Sequence, residues 1–408
     1  MLKSINYKKV FKHINRLKTY TLIIDWQRPG SGMFQACLDN HPQILQLPGI
    51  IRFYQFWKKN NKKKNISKLL NLFTNDDQFS SLFNSKIEKY ERWDKLGPKK
   101  NKSFKIDKKI FIKHAKHLIK NEKLNAKNFF LSVLASYFIT RKKNLYKTKI
   151  IFIHLHRYYE IIDQEKIFPK SNYILITRDL RNGLASYMRS REKNFLNSFE
   201  SLHICTQAYT RVFDLTNDDH FPFSLLTKYK LKKKVDNLRI VSYEKLNQNP
   251  TKTFKSLSKY LGIKYVKKVF NTTTINGLMW WGDKGTNRLL TGFNHNWAIR
   301  KNWNNEYSKL DLLMFDLLYK KQMENLNQTK TFSRIYSSIA FLFFPILIFV
   351  PMKYELNNLK INLEKQNKII KKYRIIIKFL YFYLKRIKTY LEAFIIKFKL
   401  DKNNFKII

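Results

Sequence analysis

Residues 149–189 read KIIFIHLHRYYEIIDQEKIFPKSNYILITRDLRNGLASYMR. Two apolar runs stand out, Ile150–Ile153 and Tyr173–Ile176, each too short for a helix and rich in isoleucine. An apolar run without alternation is the mark of a strand buried on both faces. A linking helix separates the two runs, and the helical NGLASYMRS follows the second. Strands alternating with helices predict an α/β fold, a doubly wound parallel sheet flanked by helices.

Upstream, TLIID (21–25) has the same β-branched character and runs through Trp26-Gln27-Arg28-Pro29-Gly30 into SGMFQACLDN, where Met33, Cys37 and Leu38 share a helical face. The pattern is strand, tight loop, helix. Downstream, LRIVSYE (238–244) reads as a further strand, and TKTFKSLSKYLGI (251–263) as a helix stopped by Gly262. Residues of about 50–145 are expected to form a helical insertion, with helical apolar spacing in SKLLNLF and NFFLSVLASYFI and no clear strand.

Beyond the charged stretch Ser308–Asn325, Ile335–Met352 reads IYSSIAFLFFPILIFVPM, 18 residues without a charge. That is the lower limit for a bilayer span, and Pro345 near its middle favours a kinked or re-entrant segment over a straight one. From Lys353 to Ile408 the chain carries 15 Lys+Arg against 4 Asp+Glu, interleaved with Ile, Phe and Tyr. Basic, aromatic helices of this kind lie on anionic membranes. The expected organisation is therefore an α/β domain over 1–325, a hydrophobic membrane-associating segment over 326–352 and a basic amphipathic helical tail over 353–408. The competing reading is a buried C-terminal helix followed by a solvated basic one.

The 408-residue chain has 80 Lys+Arg against 29 Asp+Glu, a formal charge of +51. Its 44% hydrophobic and 15% aromatic content excludes a disordered polybasic tail. The excess charge predicts phosphate-bearing partners, although Lys also recurs as background along the whole sequence. Only Cys37 and Cys205 occur, without metal-binding spacing, so both read as ordinary thiols and no metal site is expected. The first twenty residues hold no apolar run and no cleavage site, which predicts a cytoplasmic protein, peripheral or monotopic at the inner face of the membrane.

Gly30-Ser31-Gly32 at a helix start can turn backbone N–H groups toward an anion, with Arg28 adding a full charge. Arg178 follows strand NYILIT, and Ser186 lies eight residues later on the next helix, where both can reach one phosphate. No GxxxxGK[ST] and no GxGxxG occurs, which disfavours a Walker-type ATPase and a dinucleotide enzyme.

Together these motifs resemble the PAPS-dependent sulfotransferases. The family's phosphate loop is similar to Arg28-Pro29-Gly30-Ser31-Gly32, its second motif to Arg178-Asp179-Leu180-Arg181 with Ser186, and its third to Tyr243-Glu244-Lys245-Leu246 with Pro250 and Leu261-Gly262. The resemblance covers about residues 20–320 and implies a P-loop-like sulfotransferase fold using 3′-phosphoadenosine 5′-phosphosulfate (PAPS) as nucleotide sulfate donor. It implies Arg28, Pro29, Gly30, Ser31 and Gly32 at the 5′-phosphosulfate, and Arg178 and Ser186 at the 3′-phosphate. Gly32 departs from the family's hydroxyl residue and Leu180 from its Pro, while the late Arg-Lys-Gly loop has only an echo in Asp283-Lys284-Gly285.

Cytosolic members carry a catalytic His on the strand before the Arg motif. His156 matches that place, 22 residues before Arg178, and His154, on the same strand face, stands where the family has a Lys at the bridging oxygen. Glu160 is the fallback base, since carbohydrate-acting relatives use a Glu. The acceptor is a hydroxyl or amine, with a glycan or lipid-linked glycan suggested by the tail. Two alternatives are a non-catalytic basic protein that binds membrane or RNA and a P-loop-like kinase. The former lacks an RNA-binding motif and the latter a Lys-Ser/Thr after the glycines, so no nucleic-acid partner is expected.

Overall fold

The computed structural model describes residues 5–24, 29–62, 65–155, 160–191, 238–284, 289, 291–293, 303, 306–325 and 339–399. One sheet contains β1 (Lys18–Ile24), β2 (Ile44–Leu45), β3 (Ile150–His154), β4 (Asn172–Thr177) and β5 (Leu238–Ser242). All neighbours are parallel, in the order β2-β3-β1-β4-β5. Leu22 pairs with His154, Ile24 with Ile176 and Thr177 with Ser242, so the C-terminal ends of β1, β3, β4 and β5 share one edge. The chain leaves β1 toward β2 on one side and later builds β4 and β5 on the other. Such a reversal of strand order opens a crevice at the C-terminal edge.

Side chains alternate across the sheet. Leu22, Ile24, Phe152, Ile174, Ile176 and Val241 face a core completed by the helices Ser31–Leu38 and Pro250–Leu261. Ile23, Ile151, Ile153, Tyr173, Leu175 and Ile240 face the larger core, closed by helices that include Lys108–Ile119, Ala126–Thr140, Leu180–Arg191 and Lys309–Asn325. Burial on both faces is the physical reason the strands read as unbroken apolar runs. Helix Ala126–Thr140 is buried at every position from Phe129 to Tyr137, which matches its lack of a polar face. Helices follow one another between Phe53 and Thr140, and the edge strand β2, only two residues long, precedes them unannounced.

A hairpin of β6 (Thr274–Ile275) and β7 (Leu278–Met279) turns through Asn276 and Gly277, both at positive φ, the conformation of a tight hairpin turn. The Gly277 N–H and the Thr274 hydroxyl both donate to Asp39 Oδ2, at 2.7 and 2.8 Å, and fasten the hairpin to the end of helix Ser31–Leu38.

The described parts of the C-terminal extension are built onto the domain. Ala340, Phe344, Ile348 and Met352, four residues apart, join the larger core. Pro345 sits in the first turn of the short helix Phe344–Leu347, just after the helical residues 339–342 break at Phe343. Helix Lys353–Glu364 buries Tyr354, Glu355, Asn358 and Asn362, and the 31-residue helix Ile369–Lys399 buries Arg386, Tyr390 and Ala393. Arg386 Nε donates to Glu355 Oε1 at 2.7 Å, and Lys353 N donates to Asp311 Oδ2 at 3.2 Å on helix Lys309–Asn325. Among the described residues, no helix is long and apolar enough to cross a membrane.

Candidate active site

Gly30 caps helix Ser31–Leu38 with a left-handed backbone, φ 83°, and its carbonyl accepts the first helical bond from Phe34 N at 2.9 Å. The helix begins with no acidic residue in its first turn, so its N–H groups and positive dipole end meet no opposing charge from their own turn. A Cβ at Gly30 would lie 2.5 Å from Cδ2 and Cε2 of Tyr243. Glycine is thus demanded twice, by backbone conformation and by the approaching ring. At Gly32 a Cβ would make only ordinary contact with Trp280, at 3.5 Å.

Tyr243 opens the helix Tyr243–Gln248 after β5, and the Arg178 guanidinium after β4 lies 4.7 Å from its ring centroid. The three family-like motifs therefore meet at one place, Gly30 against Tyr243 and Tyr243 against Arg178, along the C-terminal edge. Glu244 braces the junction: Oε1 accepts from Asp179 N at 3.0 Å and Oε2 from the Ser242 hydroxyl at 3.1 Å. Burial pushes the Glu244 carboxyl above the usual carboxylate range, and the Arg178 charge partly opposes that shift.

The two arginines of the second motif point to different work. Arg181, 2% exposed, donates through Nε to Asp179 Oδ1 at 3.0 Å, lies 3.8 Å from Asp316 Oδ1 and stacks on Trp303. It anchors helix Lys309–Asn325 from inside the core. Asp179 also accepts from Arg181 N at 2.9 Å and so caps helix Leu180–Arg191. Arg178 remains beside the glycine loop. Ser186 is half-buried on the same helix.

His154 closes β3, 2% exposed, with Nδ1 2.9 Å from Gln35 Oε1 on the glycine-loop helix. Gln35 Nε2 donates to the carbonyls of Leu47 and Gly49, at 2.9 and 3.1 Å, which fixes the amide orientation. Oε1 is then the acceptor and His154 Nδ1 carries the hydrogen. Gln35 was not singled out from sequence, although it is the lone strongly polar side chain inside the apolar helix SGMFQACL.

Pro29, Gly30, Ser31, Gly32, His154, Arg178 and Ser186 fall within the described residues, whereas Arg28 and His156 lie outside them. Glu160, 4% exposed, pairs with Arg52 at 3.1 Å. Lys284 N donates to Tyr90 O at 2.8 Å, and Gly285 lies outside the described residues. Cys37 is fully buried, which pushes its thiol far above the ordinary value; Cys205 lies outside the described residues. No group of His, Cys, Asp or Glu among the described residues could hold a metal.

Residues 108–278 match the family model described as "Sulfotransferase domain". The match spans His154, Arg178, Ser186 and Tyr243, and it begins after the glycine loop. Among solved structures, the sulfotransferase domain from the Synechococcus PCC 7002 olefin synthase is 12% identical, with a TM-score of 0.36, covering 70% of this chain and 87% of that one. The sulfotransferase domain from the curacin biosynthetic pathway is 14% identical, with a TM-score of 0.35, covering 63% of this chain and 78% of that one. No curated protein matches the sequence.

Proposed function

We propose, from the match of residues 108–278 to the sulfotransferase domain model, that the chain moves a sulfuryl group from PAPS to a hydroxyl or amine acceptor. The observation that supports this reading most is the meeting of Gly30, Tyr243 and Arg178 at the C-terminal edge of the sheet. A glycine-initiated helix without acidic residues in its first turn, beside a buried arginine, suits a nucleotide carrying phosphate groups at both ends. PAPS supplies the activated sulfuryl group and a phosphate leaving group.

In this reading the loop Arg28, Pro29, Gly30, Ser31 and Gly32 holds the 5′-phosphosulfate through the Arg28 charge, the backbone N–H groups of Gly30, Ser31 and Gly32 and the Ser31 hydroxyl, with Pro29 shaping the turn, and Arg178 with Ser186 holds the 3′-phosphate. His156 removes the acceptor proton. His154, oriented by Gln35, presents Nε2 to hold or pass a proton where charge develops on the bridging oxygen. A glycan or lipid-linked glycan is the acceptor class to test first.

Thermal stabilisation by 3′-phosphoadenosine 5′-phosphate, compared with ATP and AMP, tests the donor site. Selective stabilisation that Arg178→Ala abolishes is the expected result. An unchanged shift in that variant would remove Arg178 from the site. Replacing His156 with Ala should abolish transfer and leave this stabilisation in place.

A further inference from the structure

Among the described residues, the exposed large apolar side chains are concentrated in one region. Apart from Ile87, Tyr90, Ile110, Tyr146 and Leu289, all of them lie between Ile339 and Ile395. Leu342 is 75% exposed and Ile370 71%. A soluble surface scatters such residues singly, so this concentration calls for a partner.

The long helix Ile369–Lys399 divides into three sectors. At 100° per residue, Ile370, Tyr373, Ile377, Leu380, Leu384 and Leu391 fall within an arc of roughly 80°, and the exposed Lys388 lies on its edge in line with Ile370. All six are exposed. Arg374, Lys378 and Lys385 border that arc on one side, and Arg386, Tyr390 and Ala393 occupy a separate sector that packs inward. A second exposed apolar set, Phe341, Leu342, Phe343, Ile346 and Phe349, adjoins the helix. There the Tyr383 hydroxyl donates to Phe349 O at 2.5 Å, and Phe394 stacks on Phe344 with centroids 4.1 Å apart.

We propose that these two exposed sets form one docking face for an anionic lipid surface, which the chain meets from one side without spanning it. The Glu355–Arg386 pair and the buried stripe Ala340–Met352 hold the helix to the domain, so the face belongs to the folded body. The apolar arc would enter the acyl boundary while Arg374, Lys378 and Lys385 meet headgroup phosphates. Charge argues against a second copy as occupant. Glu392 is the single acid between Ile369 and Lys399, so two such faces would set cations against cations.

The test is flotation of the full chain with phosphatidylcholine vesicles, with and without phosphatidylserine, at low and high salt. Binding should require phosphatidylserine and weaken with salt. The triple variant Arg374→Glu, Lys378→Glu, Lys385→Glu should lower the partition coefficient by at least about a hundredfold. Ile370→Asp with Ile377→Asp and Leu384→Asp should abolish binding while the melting temperature stays near wild type. A control reversal of the exposed Lys58, Lys59 and Lys62 should change binding little. Equal loss in that control would assign the effect to bulk charge and overturn the proposal. Unaltered binding in both triple variants would overturn it as well. So would a wild-type dimer in sedimentation that ignores vesicles and dissociates with the aspartate variant.

Discussion

At Gly30 a left-handed backbone coincides with a tyrosine ring that leaves no room for a methyl group. Gly30→Ala should therefore cost about 1–2 kcal/mol from conformation alone, and more from displacing Tyr243 and the Arg178 stacked on it. Calorimetry should show a lower melting temperature and a lost response to 3′-phosphoadenosine 5′-phosphate. Gly32→Ala, whose added Cβ makes only ordinary contact with Trp280, should lower the melting temperature far less. At His154, nitrogen chemical shifts should report the Nδ1–H tautomer, and Gln35→Leu should remove that preference by deleting the acceptor. An unchanged tautomer in the variant would deny Gln35 its positioning role.

Among the elements, the β4 loop and the β5 helix are joined by Glu244, whose folded-state carboxyl is raised by burial. The stability such a group contributes is fully present below its unfolded value and is lost as pH rises through its folded value. Glu244→Gln keeps an acceptor for Asp179 N and removes that titration. Its melting temperature should therefore rise relative to wild type as pH is raised from 5 to 8, a trend that matched thermal scans would show or refute. The Arg181–Asp179–Asp316 group joins two helices from inside the core. Asp316→Ala takes away one buried acid while Arg181 keeps Asp179, and denaturant unfolding should show a loss of about 1–3 kcal/mol. That result would mark Arg181 as a structural residue, in contrast to Arg178, which stacks on Tyr243 beside the glycine loop.

For the whole molecule, the C-terminal helices complete the larger core and cannot be treated as a removable tail. Ending the chain after residue 338 would strip Phe344, Ile348, Ile387, Tyr390 and Ala393 from that core. Each of the Phe and Ile side chains among them is worth about 1.5–3 kcal/mol when fully buried. The shortened chain should melt many degrees lower or aggregate, as scanning calorimetry would show. Deletion is therefore a poor test of lipid binding, and point variants on the exposed face are the informative ones.

Much of the fold was legible because its signals are local. The apolar runs Ile150–Ile153 and Tyr173–Ile176 are strands for the reason their composition suggests, and Gly262 stops its helix at φ 68°. The order of the glycine loop, the Arg178 motif and the Tyr243 motif likewise placed them at successive strand ends. The two-residue strand β2 carries no periodic signal, since it is too short to show one. Neither the role of Gln35 nor the division of labour between Arg178 and Arg181 could be read from spacing. Each depends on a contact with a residue more than a hundred positions away, His154 in one case and Asp316 in the other. The same holds for Ile335–Met352, whose charge-free run gives no sign of which side chains turn inward. Local pattern fixes where strands and helices form, but only packing between distant elements fixes which polar groups meet and which apolar faces stay exposed.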